Sequence, residues 1–196
     1  MPAKWFAKPS FSGAGSELTE QELLEALRRK DSAGMRVFYD RYAGYLTAVA
    51  LRYVPDPSAV KDILQDAFLQ MMDAADRFEY RGEGSLKSWA IRIVVNGALK
   101  SLRKQGRLQY VEDLPDVPEE ADVPVQQVPA AVLQQMIQDL PDGYRTVFNL
   151  FVFEQKPHRE IAALLGIKED SSASQYFRAR ALLARQIKAY LKEHER

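Results

Sequence analysis

The chain has 196 residues, of which 46% are hydrophobic and 28% charged, and its 27 basic residues balance 27 acidic ones. This composition is typical of a globular protein with one domain or two small ones. The sequence contains no cysteine, which excludes disulfides and thiolate metal sites. It also lacks an apolar run of about 18 residues and a secretion signal, so we expect a cytoplasmic protein without membrane insertion.

The first part of the chain is predicted to hold a flexible leader, residues 1–16, and four helices. Thr19 and Glu22 have the spacing of a capping box. Asp56 followed by Pro57 is typical of a helix start, and Ser85 is predicted to cap the helix behind a polar loop, residues 79–84. The four helices are predicted over residues 19–30, 32–54, 57–78 and 85–104.

Two of these helices carry a patterned polar face. In the third, acidic and apolar side chains are mixed over residues 62–69, and Asp62 and Asp66 share one face because they are four residues apart. This indicates either a partner-docking face or a solvated edge, and the sequence alone favours the edge. In the fourth, an aromatic, an amide and basic side chains recur every three or four residues and so share one face. Such a stripe suits bases and phosphates, or it is a solvated face with a core tryptophan; it consists of Trp89, Arg92, Asn96, Lys100 and Arg103.

An acidic, proline-rich segment follows, and we interpret residues 106–128 as an extended linker. Residues 105–130 contain one basic and six acidic residues. Pro115, Pro118, Pro124 and Pro129 disfavour a helix there because proline lacks the backbone N–H donor. The linker separates residues 17–105 from residues 129–196, which we expect to be two helical domains of an all-α protein.

The second domain contains a helix-turn-helix pattern. A short apolar helix with Ala162 ends at Gly166, which suits the turn, and a second amphipathic helix follows. The pattern indicates DNA binding or merely a tight helical corner. Hydroxyl, amide and guanidinium groups on the second helix can read base edges or hold phosphates; they belong to Ser171, Ser174, Gln175, Arg178 and Arg180. Helices are predicted over residues 130–139, 142–153, 158–165 and 171–192.

Catalysis has little support in the sequence. The chain has two histidines, His158 and His194, and neither a glycine-rich phosphate loop nor a metal-ligand spacing. We therefore expect no enzyme activity, no cofactor and no metal site.

The order of these features resembles a sigma-70 family sigma factor, and within it the extracytoplasmic-function (ECF) subfamily. Residues 62–69 resemble the helix that binds core RNA polymerase. Residues 85–104 resemble the promoter-melting segment, residues 140–145 the start of region 4, and residues 159–180 the minus-35 reader. The resemblance covers residues 20–105 and 130–190.

The resemblance implies roles for individual residues. Core polymerase would bind at Asp62, Gln65, Asp66 and Phe68. The minus-10 element would be contacted by Tyr80, Arg81, Ser85, Trp89, Arg92, Asn96, Lys100, Arg103 and Lys104. The minus-35 element would be contacted by Ser171, Ser174, Gln175, Arg178 and Arg180. Promoter DNA, core RNA polymerase and an anti-sigma factor are the implied partners.

Two features depart from the family pattern. Asp170, Ser171 and Ser172 stand where Gly-Thr and an apolar residue are usual, and Ala173 and Gln175 stand where basic residues are frequent. Fewer positive charges predict weaker phosphate attraction and a flatter salt dependence. Two alternatives stay open at this point: a stand-alone helix-turn-helix regulator that binds duplex DNA without polymerase, and a sigma-like module that binds only protein.

Overall fold

The computed structural model of the chain describes residues 18–108 and 123–194, and within these ranges it contains helices and no β-strand. The predicted all-α class is therefore confirmed. The chain divides into two compact units, one ending at Gln105 and the other continuing from Gly106. The predicted leader and residues 109–122 of the predicted linker lie outside the described residues.

The N-terminal unit consists of α1 (Glu20–Arg28), α2 (Ser32–Tyr53), α3 (Pro57–Ala74) and α4 (Ser85–Lys104). Two of the three predicted start signals are confirmed. The Thr19 hydroxyl accepts from the Glu22 amide at 3.2 Å while the Glu22 carboxylate accepts from the Thr19 amide at 2.7 Å, and the Asp56 carboxylate accepts from the Ser58 amide at 3.0 Å. The third helix ends earlier than predicted, because a 3-10 turn, Ala75–Arg77, replaces its last turn.

The core of this unit is formed by the apolar stripes of all four helices. Apolar side chains that recur every three or four residues form a stripe along one side of a helix. Side-by-side packing of the helices removes these stripes from solvent, and this burial is the main stabilising contribution. The largest fully buried side chains of the unit are Leu23, Leu24, Leu27, Phe38, Leu46, Tyr53, Met71, Leu86, Leu99 and Leu102.

The C-terminal unit consists of α5 (Ala130–Gln138), α6 (Asp142–Val152), α7 (His158–Leu165) and α8 (Glu169–His194). Helix α8 begins two residues before the predicted start. The end of the predicted linker is not extended, contrary to our expectation. A 3-10 turn, Val125–Gln127, forms there, and Val123, Val125 and Val128 are buried in the core with Phe148 and Leu183. Valine side chains in an otherwise polar linker gain free energy by leaving water.

The junction between α5 and α6 is held by a buried guanidinium group. Arg145 donates to the carbonyl oxygens of Gln138 at 2.7 Å and Leu140 at 2.8 Å, and it forms an ion pair with Asp142. Asp142 also pairs with Arg107 at 2.6 Å. The last carbonyl groups of a helix have no partner within it, so Arg145 satisfies groups that burial would otherwise leave unpaired.

Candidate nucleic-acid and protein interfaces

One exposed surface of the N-terminal unit combines carboxylates with large apolar side chains. Asp62, Gln65 and Asp66 are exposed on α3, where their spacing puts them on one face with Leu69. Leu69 and Tyr39 are each 54% exposed. The Phe68 ring is half-buried and lies 4.9 Å from the Tyr39 ring, centroid to centroid. We call this set the acidic–aromatic face: Tyr39, Asp62, Gln65, Asp66, Phe68 and Leu69.

A second surface, on α4, is basic. The helix carries five lysine or arginine residues and no acidic one. The exposed side chains at successive turns are Arg92, Asn96, Lys100, Arg103 and Lys104, whereas Val94, Val95, Ala98 and Leu102 are buried on the other side. We call the exposed set the basic face. The charged side chains of this face are all positive and regularly spaced along the helix, which suits contact with a phosphate backbone.

Trp89 belongs neither to the core nor to open solvent. Its side chain is half-buried, and its ring stacks on that of Phe78 with centroids 4.7 Å apart and planes 25° apart. Phe78 directly follows the 3-10 turn after α3. The tryptophan is thereby fixed beside the loop of residues 79–84, at the end of the basic face.

Backbone groups at the end of that loop form the start of α4. Our prediction that Ser85 caps α4 is wrong. Gly84 occupies the cap position with a left-handed φ of 84°, and Ser85 is the first helical residue. The Ser85 hydroxyl instead accepts from the Arg81 amide at 3.2 Å. The capping acceptor is the carboxylate of Glu20 on α1, which lies too far away in sequence for a local pattern to reveal. Within the loop Tyr80 is half-buried and Arg81 is exposed.

The helix-turn-helix geometry of α7 and α8 is present as predicted. Gly166 is left-handed at φ 72° and ψ 36°, and its amide donates to the Ala162 carbonyl at 2.8 Å. A residue with a Cβ resists this conformation, which explains the glycine. Ile161, Ala162 and Leu165 are buried.

A histidine links the two helices of this motif. His158 is the first residue of α7, and its Nδ1 lies 3.0 Å from the hydroxyl of buried Ser172 on α8. The imidazole stacks on Phe151 with centroids 4.5 Å apart and planes 11° apart. Burial lowers the pKa of His158, and the charge of Glu169 opposes this effect. The histidine therefore has a structural contact that the sequence did not indicate.

The exposed side of α8 differs from the predicted one at Gln175. Ser174 is exposed, and Ser171, Arg178 and Arg180 are partly exposed, but Gln175 is only 2% exposed. The prediction that Gln175 shares the exposed face is wrong, because it lies three residues after Ser172 and four before Ala179, on the buried stripe. Phe177, which the prediction omitted, is 39% exposed. Its position three residues after Ser174 was the available signal.

Two matches to family models now account for most of this architecture. The model of Sigma-70 region 2 matches residues 38–108, and the model of Sigma-70, region 4 matches residues 130–183. The chain belongs to the sigma-70 family. It is an RNA polymerase sigma factor, and its N-terminal unit contains region 2 while its C-terminal unit contains region 4.

Relatives of this sigma factor carry the name of the predicted subfamily, which confirms the ECF resemblance. The ECF RNA polymerase sigma-E factor of Escherichia coli is 25% identical over 190 residues, covering 90% of this chain and 98% of that protein. The RNA polymerase sigma-H factor of Pseudomonas aeruginosa is 26% identical over 188 residues, covering 89% and 96%. The solved structure of CnrH in complex with the cytosolic domain of CnrY matches with a TM-score of 0.46 at 21% identity, covering 85% of this chain and 96% of that chain.

Two further observations concern the described part of this sigma factor. No three histidine, aspartate or glutamate side chains within residues 18–108 and 123–194 are grouped so that they could hold a metal ion. None of the helices there combines the length and apolarity needed to cross a membrane. The acidic–aromatic face and the basic face lie in region 2, and the exposed side of α8 lies in region 4.

Proposed function

We propose that this sigma factor uses three separate surfaces during transcription initiation. The acidic–aromatic face binds core RNA polymerase, the basic face with the loop of residues 79–84 captures the minus-10 element, and the exposed side of α8 reads the minus-35 element. The protein forms no covalent bond itself and works in the cytoplasm. The proposed boundaries are residues 17–105 for the region 2 domain, 106–128 for the linker and 129–196 for the region 4 domain.

The observation that carries the polymerase assignment is the exposure of Tyr39 and Leu69. Tyr39 contacts Phe68, and Leu69 is the next residue of α3; an exposed group of apolar side chains marks a surface that a partner covers. Asp62 and Asp66 lie on the same face of α3 as Leu69, so the surface favours a partner with basic side chains. Charge complementarity sets the orientation of such a partner and speeds association. Phe68 adds aromatic area, of the kind enriched in protein interfaces.

The minus-10 assignment is supported by the distribution of charge and aromatic groups. The basic face supplies backbone contacts, and Asn96 offers an amide to base edges. Tyr80, Arg81 and Ser85 lie in or beside the loop, next to the fixed ring of Trp89. An unstacked base costs a few kcal/mol to extrude, and stacking on aromatic side chains returns about 1–3 kcal/mol per base.

The minus-35 assignment is supported by the side chains at the N-terminal end of α8. Ser171, Ser174 and Arg178 can donate to base edges, and Arg180 is placed for a phosphate. We add Phe177 to this set in place of Gln175. An exposed phenylalanine among hydroxyl and guanidinium groups suits the methyl group of a thymine, which apolar side chains contact in the major groove.

An anti-sigma factor is a further proposed partner. The acidic–aromatic face exposes apolar area when polymerase is absent, and a regulator that covers Tyr39 and Leu69 would compete directly with polymerase. Such a regulator would protect these two side chains from solvent.

The test is co-purification with core RNA polymerase followed by run-off transcription. Asp66→Arg places a cation on the acidic–aromatic face and should abolish stoichiometric binding while the helical content stays unchanged. The matched control is Asp76→Arg, the same charge reversal at an exposed position of the 3-10 turn after α3. Equal binding by both variants would remove Asp66 from the interface. Specific duplex binding without polymerase would instead favour a stand-alone regulator.

A further inference from the structure

Helix α1 lies outside the matched part of region 2, yet one of its side chains holds the start of α4. The Oε2 atom of Glu20 accepts hydrogen bonds from the backbone amides of Gly84 at 2.8 Å and Leu86 at 3.2 Å. Its Oε1 atom accepts from the Tyr42 hydroxyl at 3.0 Å. One carboxylate therefore joins α1, α2 and the N-terminus of α4.

A second side chain of α1 holds the segment that precedes the loop of residues 79–84. Arg28 donates through Nε to the carbonyl oxygen of Ala75 at 3.2 Å and through Nη2 to that of Phe78 at 2.8 Å. Glu25 orients the guanidinium group through an ion pair of 2.7 Å. Phe78 carries the ring that stacks on Trp89. Helix α1 thus contacts the chain on both sides of the loop.

The chemistry at the start of α4 explains why a distant carboxylate is needed. The first amides of a helix have no partner within it, and Gly84 offers no side chain to accept from them. A negative charge at this end also interacts favourably with the helix dipole. Burial, together with the Glu20 carboxylate, raises the pKa of Tyr42, so its hydroxyl remains a donor to Glu20.

We propose that Glu20 is a positioning residue for capture of the minus-10 element. It holds the loop of residues 79–84 in one conformation before DNA arrives. The free-energy cost of ordering the loop is therefore not subtracted from the free energy of DNA binding. A cap within the loop would satisfy α4 alone, whereas Glu20 also fixes the loop relative to α1 and α2. The inference rests on the proposed role of this loop in minus-10 binding.

The experiment compares full-length wild type, Glu20→Ala and Glu20→Gln, each bound to core RNA polymerase. A promoter with 2-aminopurine in the minus-10 element reports the unstacked base by its fluorescence. We expect Glu20→Ala to reduce the population of captured base about tenfold, since a charge-assisted cap on two amides is lost. Glu20→Gln keeps an acceptor and should recover part of the signal. The matched control is Gln21→Ala, a truncation at the next, exposed position of α1.

Two readouts separate positioning from general stability. Affinity for core polymerase should change less than about twofold, because Glu20 is not part of the acidic–aromatic face. Amide hydrogen exchange should accelerate at residues 79–86 and stay unchanged in α2 and α3. Faster exchange throughout the unit would overturn the inference, and so would equal signals from wild type and Glu20→Ala. Absence of the signal in wild type, with polymerase bound, would overturn both the proposed role of the loop and this inference.

Discussion

Replacing Gln175 by methionine should stabilise the region 4 unit. The side chain is buried, and both its amide nitrogen and its amide oxygen lack a hydrogen-bond partner among the described residues. Leaving a buried polar group unpaired costs about 1–3 kcal/mol. Methionine has a similar length and a similar helix propensity, and repacking a volume-conserving change costs less than about 1.5 kcal/mol. We therefore expect a net gain of about 1–2 kcal/mol.

Hydrogen exchange measured by mass spectrometry can isolate this effect in α6, α7 and α8. A gain of about 1–2 kcal/mol slows exchange of their protected amides about fivefold to thirtyfold. Affinity of the polymerase complex for a minus-35 duplex should change less than twofold, because Gln175 cannot reach a base from the buried stripe. Gln134→Met is the matched control at an exposed position of α5, where the free energy of unfolding should change by less than about 0.5 kcal/mol.

The opposite result would refute the reasoning. If Gln175→Met accelerates exchange in α8 and lowers minus-35 affinity while Gln134→Met does neither, the amide of Gln175 is engaged in the folded protein. Its burial would then serve recognition, and the original sequence prediction for this residue would stand.

Three further predictions concern the same unit. Arg178→Ala should cost about 1–3 kcal/mol on a minus-35 duplex, measured with the polymerase complex, if Arg178 reads a base edge; an equal loss on scrambled DNA would assign it to phosphate. Arg145→Met should destabilise the unit by about 3 kcal/mol, measured by urea unfolding. This is near the low end for a broken buried pair, because Asp142 retains its ion pair with Arg107. Arg159→Met, at an exposed site, is the control. The pKa of His158 in the folded protein lies below its ordinary 6.5, so the unfolded chain binds a proton at a higher pH than the folded one, and stability should fall as the pH drops through 6.5. His158→Phe should therefore lose less melting temperature than wild type between about pH 8 and pH 5.5. An identical dependence of melting temperature on pH in the two proteins would contradict this.

Local patterns in the sequence determined the helices and most of their faces. The spacing of apolar residues, the capping box at Thr19 and the Asp56-Pro57 start act within a few residues, so a linear reading is sufficient for them. The turn at Gly166 was predictable for the same reason, since its left-handed conformation is a local requirement. The exposure of the basic face on α4 also followed from periodicity alone.

Tertiary structure decided which residue caps α4 and which side chains of the C-terminal unit are buried. Ser85 had the local signal of a cap, but Glu20, more than sixty residues away, takes the amides of α4. Val123 and Val125 lie in a segment with a linker's composition, yet they leave water when the C-terminal core forms. Gln175 is polar but is carried into the core by its place on the helix stripe. In each case the outcome depends on which surfaces meet in three dimensions, and sequence spacing does not encode that.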